Sequence, residues 1–241
     1  MFRAISLIAV VVSVSSATYH PRFAGQSEFL YFISYILIYV TFCAIFSESS
    51  ILSDLFEFIA VIPYDEVEQI VVEKADNDPN VRATLDYFHT EDFQMKIDEM
   101  SEILEFKTIL NYLEDHNTPA HDLWNLFRMI MGLDPVKSHL KFGPLPMGPI
   151  PSGPMLEMMD EILAAIDPQE IKEVYDAKIK ESEDFNNLVN AVENEKFEAL
   201  VVALKESMKF KDVLNQLNHY GFDFLEILNK VAKFFLDAIQ A

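Results

Sequence analysis

Residues 105–113 read EFKTILNYL, and residues 209–217 read KFKDVLNQL, 104 positions further along the chain. Both stretches place apolar residues at the i, i+3, i+4 and i+7 positions of an amphipathic helix. The match extends without a gap over residues 52–133 and 156–237. A repeated unit usually cannot bury its apolar face without its neighbour. The two stretches therefore predict two like halves of one domain.

Identical residues occur in register throughout the match. There are fifteen identities, where roughly five would arise by chance at average composition. They are Leu52/Leu156, Glu57/Glu161, Ala60/Ala164, Ile62/Ile166, Glu66/Glu170, Lys74/Lys178, Glu91/Glu195, Phe93/Phe197, Glu102/Glu206, Phe106/Phe210, Lys107/Lys211, Leu110/Leu214, Asn111/Asn215, Leu113/Leu217 and Asn125/Asn229. The sequence therefore contains an internal duplication.

From residue 51 onward the apolar residues follow a helical period, with no alternation typical of strands. Helix starts are predicted at Ser53–Asp54, Asp65, Thr90–Asp92 and Asp167–Pro168, because these residues suit an N-cap or a first turn. Asn117 and Gly221 occupy matching positions and tolerate the left-handed end of a helix. We predict an all-α fold in which two homologous repeats of roughly 100 residues, each with five to six short helices, form one helical shell around an apolar interior.

A Pro- and Gly-rich stretch, residues 134–154, separates repeat 1 (51–133) from repeat 2 (155–241). Six prolines make it unsuitable for a helix, so it is predicted to be an extended linker. Its apolar residues indicate that it lies along apolar surface; they are Leu140, Phe142, Leu145, Met147 and Ile150.

The N-terminal region has two hydrophobic parts. Residues 1–17 carry Arg3, an apolar stretch and the small residues Ser15 and Ala17, the pattern of a cleaved secretory signal peptide. Within the hydrophobic segment 18–50, residues 29–46 contain no charge and have about the length of a bilayer-spanning helix. Three interpretations stay open for this run: a transmembrane anchor, a segment folded against the repeats, or a stretch that the mature protein does not carry.

The composition combines 51% hydrophobic residues with a net charge of −21. Such acidity argues against nucleic acid as a partner and against docking on anionic lipid headgroups. The one cysteine, Cys43, cannot form an internal disulfide or a cysteine-based zinc site. Packing alone must therefore hold the protein together.

No catalytic motif is present, so no enzymatic activity, catalytic residue, metal or cofactor is expected. His116 and His121 are five residues apart across a proline and do not share a helix face. The acidic pairs at predicted helix starts complement the helix dipole, which explains them without acid–base catalysis.

The apolar stripes contain the candidate binding residues. They either form a dry core or line a cavity for an apolar ligand, and the residue types suit both interpretations. The candidates are Phe93, Ile97, Phe106, Leu110, Phe127, Phe197, Val201, Phe210 and Leu214.

Residues 62–113 run IPYDEVEQIVVEKADNDPNVRATLDYFHTEDFQMKIDEMSEILEFKTILNYL. The order I-P-x-D-E, D-P, E-D-F and E-F-K resembles the insect allergen-related repeat family, which includes cockroach group-1 midgut allergens, mosquito midgut microvillar proteins and butterfly nitrile-specifier proteins. The second repeat fits less closely, with IDPQEIKEV at residues 166–174. The resemblance covers both repeats, so nearly everything past residue 50.

The resemblance implies an all-helical domain of two repeats around a large apolar cavity that holds fatty acids or similar lipids. It also implies secretion into the midgut lumen or association with its microvillar lining, with the nine candidates lining the cavity. A second hydrophobic run stands where the family has a short polar lead-in, so membrane association through 29–46 is a possible alternative to free secretion. Two other functions stay open, a structural or protective gut-lining protein and a nitrile-specifier-like detoxification protein. The sequence does not identify the lipid or the oligomeric state.

Overall fold

The structure, a computed structural model, describes residues 50–130 and 148–241. In these two ranges it is built of helices, with one isolated bridge between Ile150 and Tyr220 and no other strand pairing. The predicted all-α class is confirmed. The predicted signal peptide, the hydrophobic run 29–46 and linker residues 134–147 lie outside the described residues. Among the described helices none is both long and apolar enough to cross a bilayer.

Six helices precede the linker and six follow it in the part of the chain that the structure describes. The first set comprises α1 (Ser50–Ala60), α2 (Tyr64–Asn77), α3 (Pro79–Phe88), α4 (Glu91–Ser101), α5 (Leu104–Glu114) and α6 (Ala120–Ile130). The second set comprises α7 (Gly153–Ala165), α8 (Pro168–Glu181), α9 (Glu183–Glu193), α10 (Glu195–Glu206), α11 (Met208–His219) and α12 (Phe224–Gln240).

The starts of α8 to α12 each lie 104 residues after the starts of α2 to α6. This recurrence favours the two-repeat interpretation, which stays a prediction. In both sets a turn with a left-handed residue follows the fifth helix, at Asn117 (φ 59°) and at Gly221 (φ 81°). The same hydrogen bonds close the two turns, from Thr118 N to Leu113 O and from Phe222 N to Leu217 O, both 3.0 Å. The left-handed positions predicted from the sequence are confirmed.

Local capping explains several helix starts. The Thr90 side chain accepts from Phe93 N at the start of α4, and Asp167 accepts from Gln169 N ahead of Pro168 at the start of α8. The start predicted at Ser53–Asp54 is wrong, because α1 already includes Ser50 and the Asp54 side chain is buried in an ion pair instead. The helix α7 begins at Gly153, inside the predicted linker, because Pro154 falls in its first turn, where no N–H is required.

The first helix of each set packs on the opposite set. Helix α1 packs against α8 and α9, where the rings of Phe58 and Phe185 stack with centroids 5.6 Å apart. Helix α7 packs in the same way against α2 and α3. The fourth and fifth helices also cross over, since α4 packs on α11 and α5 packs on α10. Both sets therefore contribute to one continuous apolar core.

Gly221 lies where the second set meets α3 and the end of the linker. The Thr84 hydroxyl donates to Tyr220 O over 2.9 Å, and Ile150 N donates to His219 O over 2.9 Å. The rings of Tyr87 and Tyr220 stack with centroids 4.0 Å apart. Ile150 is buried, so this residue of the predicted linker does lie on apolar surface.

Replacing Gly221 with alanine is expected to lower the free energy of unfolding by about 2–4 kcal/mol. The φ of +81° disfavours an L side chain, and an added Cβ would lie 2.4 Å from Thr84 Oγ1. Gly148→Ala is the matched control, because its Cβ would have no atom within 4 Å. Urea unfolding of the two variants measures the difference. An equal loss at both positions would contradict the account of Gly221.

Candidate functional site

The structure places seven of the nine predicted binding residues in the core. Phe93, Ile97, Phe106, Leu110, Phe127, Phe197 and Phe210 are all buried. Val201 and Leu214 are half-buried and pack against the core from its margin. The nine residues therefore belong to one apolar region, with the last two at the point where it approaches solvent.

The packing of α4 on α11 and of α5 on α10 brings eight of these residues together from the two sets. Helix α4, with Phe93 and Ile97, packs on α11, with Phe210 and Leu214. Helix α5, with Phe106 and Leu110, packs on α10, with Phe197 and Val201. We call the apolar region formed by α4, α5, α10 and α11 the central core. Each set of helices supplies half of it.

The remaining candidate, Phe127, reaches the central core through an aromatic neighbour. Trp124 lies between Phe127 and Phe106, with ring centroids 5.0 Å and 4.8 Å away. The indole Nε1 of Trp124 donates to Ser101 Oγ over 2.9 Å, which fixes the ring against the end of α4. Helix α6 thus covers one side of the central core.

Tyr112 joins the two sets of helices and was missed as a site residue. It is buried beside Phe197, with ring centroids 5.9 Å apart, and its hydroxyl donates to Ala191 O over 3.0 Å. The matching position in the second stretch is Gln216. A buried tyrosine needs a partner for its hydroxyl, and the break in the repeat at this position was the available signal.

Two ion pairs connect the sets reciprocally. Lys178 on α8 lies 2.5 Å from Glu57 on α1, and Lys74 on α2 lies 2.6 Å from Glu161 on α7. Lys74/Lys178 and Glu57/Glu161 are both identities of the internal repeat. The lysine and the glutamate of this ion pair are therefore present in both repeats, and in each case the lysine of one set pairs with the glutamate of the other. The identities were visible in the sequence, but their pairing was not.

The environments of the two lysines differ. Lys178 also contacts the buried carboxylate of Asp54 at 3.1 Å, and the Ser182 hydroxyl donates to the same carboxylate. The residue matching Asp54 is Met158, which is fully buried. A methionine can fill this position beside α2 because Lys74 is more exposed than Lys178 and water solvates part of its charge.

The pKa values of both lysines are raised. The Lys74 pKa is raised above all by the hydrogen bond to Glu161, with further contributions from Glu157 and Asp78. Burial by itself lowers the Lys178 pKa, but the hydrogen bonds to Glu57 and Asp54 outweigh it and raise the pKa. Both lysines therefore stay charged at neutral pH, as bridging between the two sets requires.

A separate surface pocket of about 310 Å³ has polar walls. It lies where the turn after α5 meets α9, and none of the predicted residues lines it. Its walls are Asp115, His116, Asn117, Asn187, Asn190, Ala191 and Asn194. His116 Nδ1 is already 2.7 Å from Tyr112 O. The lining is too rich in amides and charges to suit an acyl chain.

The described residues contain no group of three or more side chains suited to hold a metal ion. Glu91 and Asp92 lie in the first turn of α4, and Asp92 accepts a hydrogen bond of 3.0 Å from the Tyr87 hydroxyl. The position of this acidic pair fits the helix-dipole role predicted for it. The arrangement of the site is that of an apolar interior closed by two sets of helices.

The family described as insect allergen related repeat, nitrile-specifier detoxification, matches residues 50–228. The match spans most of the chain and both sets of helices. The chain belongs to this family. The resemblance given by the motifs in residues 62–113 is thereby confirmed.

Among individual proteins, the chain is similar to Protein G12 of Anopheles gambiae. The two are 25% identical over 142 residues, which is 58% of this chain and 66% of the relative. The aligned part is just under two thirds of that relative's length. This similarity supports the family assignment, and the activity of the whole relative does not transfer with it.

Replacing Lys178 with methionine is expected to lower the free energy of unfolding by about 3 kcal/mol. The change leaves the Asp54 carboxylate buried without its cation. Lys74→Met is the matched control. It should lower the free energy of unfolding by clearly less, because Lys74 does not neutralise a buried carboxylate. The double variant Asp54→Met, Lys178→Met should recover most of the loss, since Met158 already fills the matching position. Urea unfolding of the wild-type protein and the three variants measures these losses, and a double variant no more stable than Lys178→Met would contradict the account.

Stability is expected to fall between about pH 10 and pH 12. Burial raises the pKa of Tyr64 to about 12, and burial together with Asp92 raises the pKa of Tyr87. A group whose pKa is higher in the folded protein stabilises the fold fully below its unfolded pKa, and this contribution is lost as pH rises through the folded pKa. The raised pKa values of Lys74 and Lys178 act in the same direction. The free energy of unfolding, measured from pH 7 to 12, should decrease above pH 10, and the decrease should be less steep in Tyr64→Phe. A free energy of unfolding that does not change with pH would contradict this account.

Proposed function

We propose that this protein binds fatty acids or similar apolar lipids without catalysing a reaction. The observation that carries the proposal is the central core, in which six buried candidate residues come from both sets of helices. An acyl chain placed among them would leave water at a gain of about 0.8 kcal/mol per CH₂ group. Family membership supports the same function.

Access for the ligand is proposed between α10 and α11. Val201 on α10 and Leu214 on α11 are the two half-buried candidates, and these helices pack on each other. Apolar side chains there lead from solvent to the buried Phe197 and Phe210. A lipid chain would enter through this margin and lie along the central core.

The proposed location is the gut lumen or the microvillar surface. The signal-peptide pattern of residues 1–17 supports secretion, and family resemblance supports the midgut. Anchoring through residues 29–46 is the alternative. N-terminal sequencing of the mature protein distinguishes them, because it shows whether this run is retained.

Native mass spectrometry of the purified protein is expected to show bound lipid, and organic extraction should release it. After delipidation, a fluorescent fatty acid should bind the chain and be displaced by unlabelled fatty acid. Val201→Gln and Leu214→Gln should each weaken that binding about tenfold, because each puts an uncompensated amide at the apolar margin. Thermal unfolding should change little, since both residues are only half-buried.

Met95→Gln is the matched control, because Met95 is exposed on α4 and is not a candidate residue. No co-purified lipid and no fatty-acid binding after delipidation would refute the proposal.

Unchanged localisation on microvilli after loss of lipid binding would favour a structural or protective role instead. The family description favours one further candidate, nitrile-specifier-like detoxification. Nitrile formed from a glucosinolate and myrosinase in the presence of this chain would support it.

A further inference from the structure

Two of the most exposed apolar side chains occupy matching positions in the internal repeat. Leu104, the first residue of α5, is 74% exposed, and Met208, the first residue of α11, is 71% exposed. Single exposed apolar residues are common on protein surfaces. Here the same exposure occurs twice, at residues 104 positions apart.

A hydrogen bond joins the chain neighbours of these two residues. Ser207, which precedes Met208, donates a hydrogen bond of 3.3 Å to the carboxylate of Glu105, which follows Leu104. The crossed packing of α4 on α11 and of α5 on α10 places the starts of α5 and α11 at the same corner. We call Leu104 and Met208, with the segments 102–107 and 205–212, the apolar corner.

The charge of the apolar corner differs from that of the protein as a whole. Its four lysines balance its four carboxylates, whereas the whole chain carries a net charge of −21. Three exposed lysines lie near Met208 in the chain, and they are Lys205, Lys209 and Lys211. None of the three forms an ion pair with another described residue. Lysines at the edge of an apolar surface can extend their charged ends to phosphate groups while their stems remain in apolar contact.

We propose that the apolar corner docks on phospholipid bilayers with zwitterionic headgroups, with Leu104 and Met208 inserted among the acyl chains. A protein partner fits less well, because a stable protein interface buries well over 1,000 Å² in total and this surface offers two exposed apolar side chains. A bilayer requires only that these side chains enter it. Two such anchors give reversible attachment.

The proposal goes beyond lipid carriage and is tested separately from it. A fluorophore sensitive to polarity is attached at Leu104→Cys or at Met208→Cys, in a full-length delipidated chain with Cys43→Ser. Met95→Cys is the matched control, because Met95 is 53% exposed on α4, nine residues before Leu104. Phosphatidylcholine vesicles should shift the emission to the blue at the first two positions and leave the third unchanged. The labels report on the corner whether or not residues 29–46 also enter the bilayer.

Leu104→Gln with Met208→Gln should reduce the vesicle-bound lifetime of the chain at least tenfold with unchanged thermal unfolding. Replacing a third of the lipid with phosphatidylserine should weaken docking, because the protein's net charge is repelled. An unshifted label at both corner positions would overturn the proposal, and so would equal shifts at all three positions. Stronger docking on the anionic vesicles would also overturn it. Concentration-dependent dimerisation that the double substitution abolishes would assign the corner to a second copy instead.

Discussion

The reciprocal placement of the first helices is the constraint on which the rest of the structure depends. Helix α1 covers α8 and α9 of the second set, and helix α7 covers α2 and α3 of the first set, so each set buries part of the first helix of the other. The pairs Lys178–Glu57 and Lys74–Glu161 hold these two contacts at matching positions. Since each set supplies two of its four helices, the central core lies between the sets.

The two halves keep the same framework but differ where they meet. Around Gly221 the contact is tight and mostly apolar, with Ile150 against the turn and Tyr220 stacked on Tyr87. At the matching turn, Asn117 borders a polar pocket beside α9. The buried Asp54 likewise faces Lys178, whereas Met158 stands at the matching position near Lys74. The two sets thus share a framework, and differences at single matching positions give each contact its own charge and packing.

This arrangement separates two apolar features for which different roles are proposed. The central core contains side chains shielded from water by four crossed helices, where an acyl chain would be bound along its length. The apolar corner has two side chains that remain in water and are flanked by lysines, where contact with a bilayer would be brief. Both features depend on the same packing, that of α4 on α11 and of α5 on α10. The proposed lipid binding and the proposed bilayer docking would therefore use the same group of helices.

The sequence by itself determined the helices and many of their ends. Apolar spacing predicted the all-α class, Thr90 and Asp167 were recognisable as caps, and Asn117 and Gly221 as left-handed turns, because each signal acts within one or two helical turns. It also singled out the apolar stripes, of which seven residues proved buried. Only the tertiary structure decided that Asp54 is an ion-pair partner rather than a cap, and that Lys178 pairs with Glu57 across 121 residues. Such partners are far apart in the chain, and no period in the sequence specifies which helix faces which. That choice depends on how the two sets share one core, which becomes visible only when both are packed together.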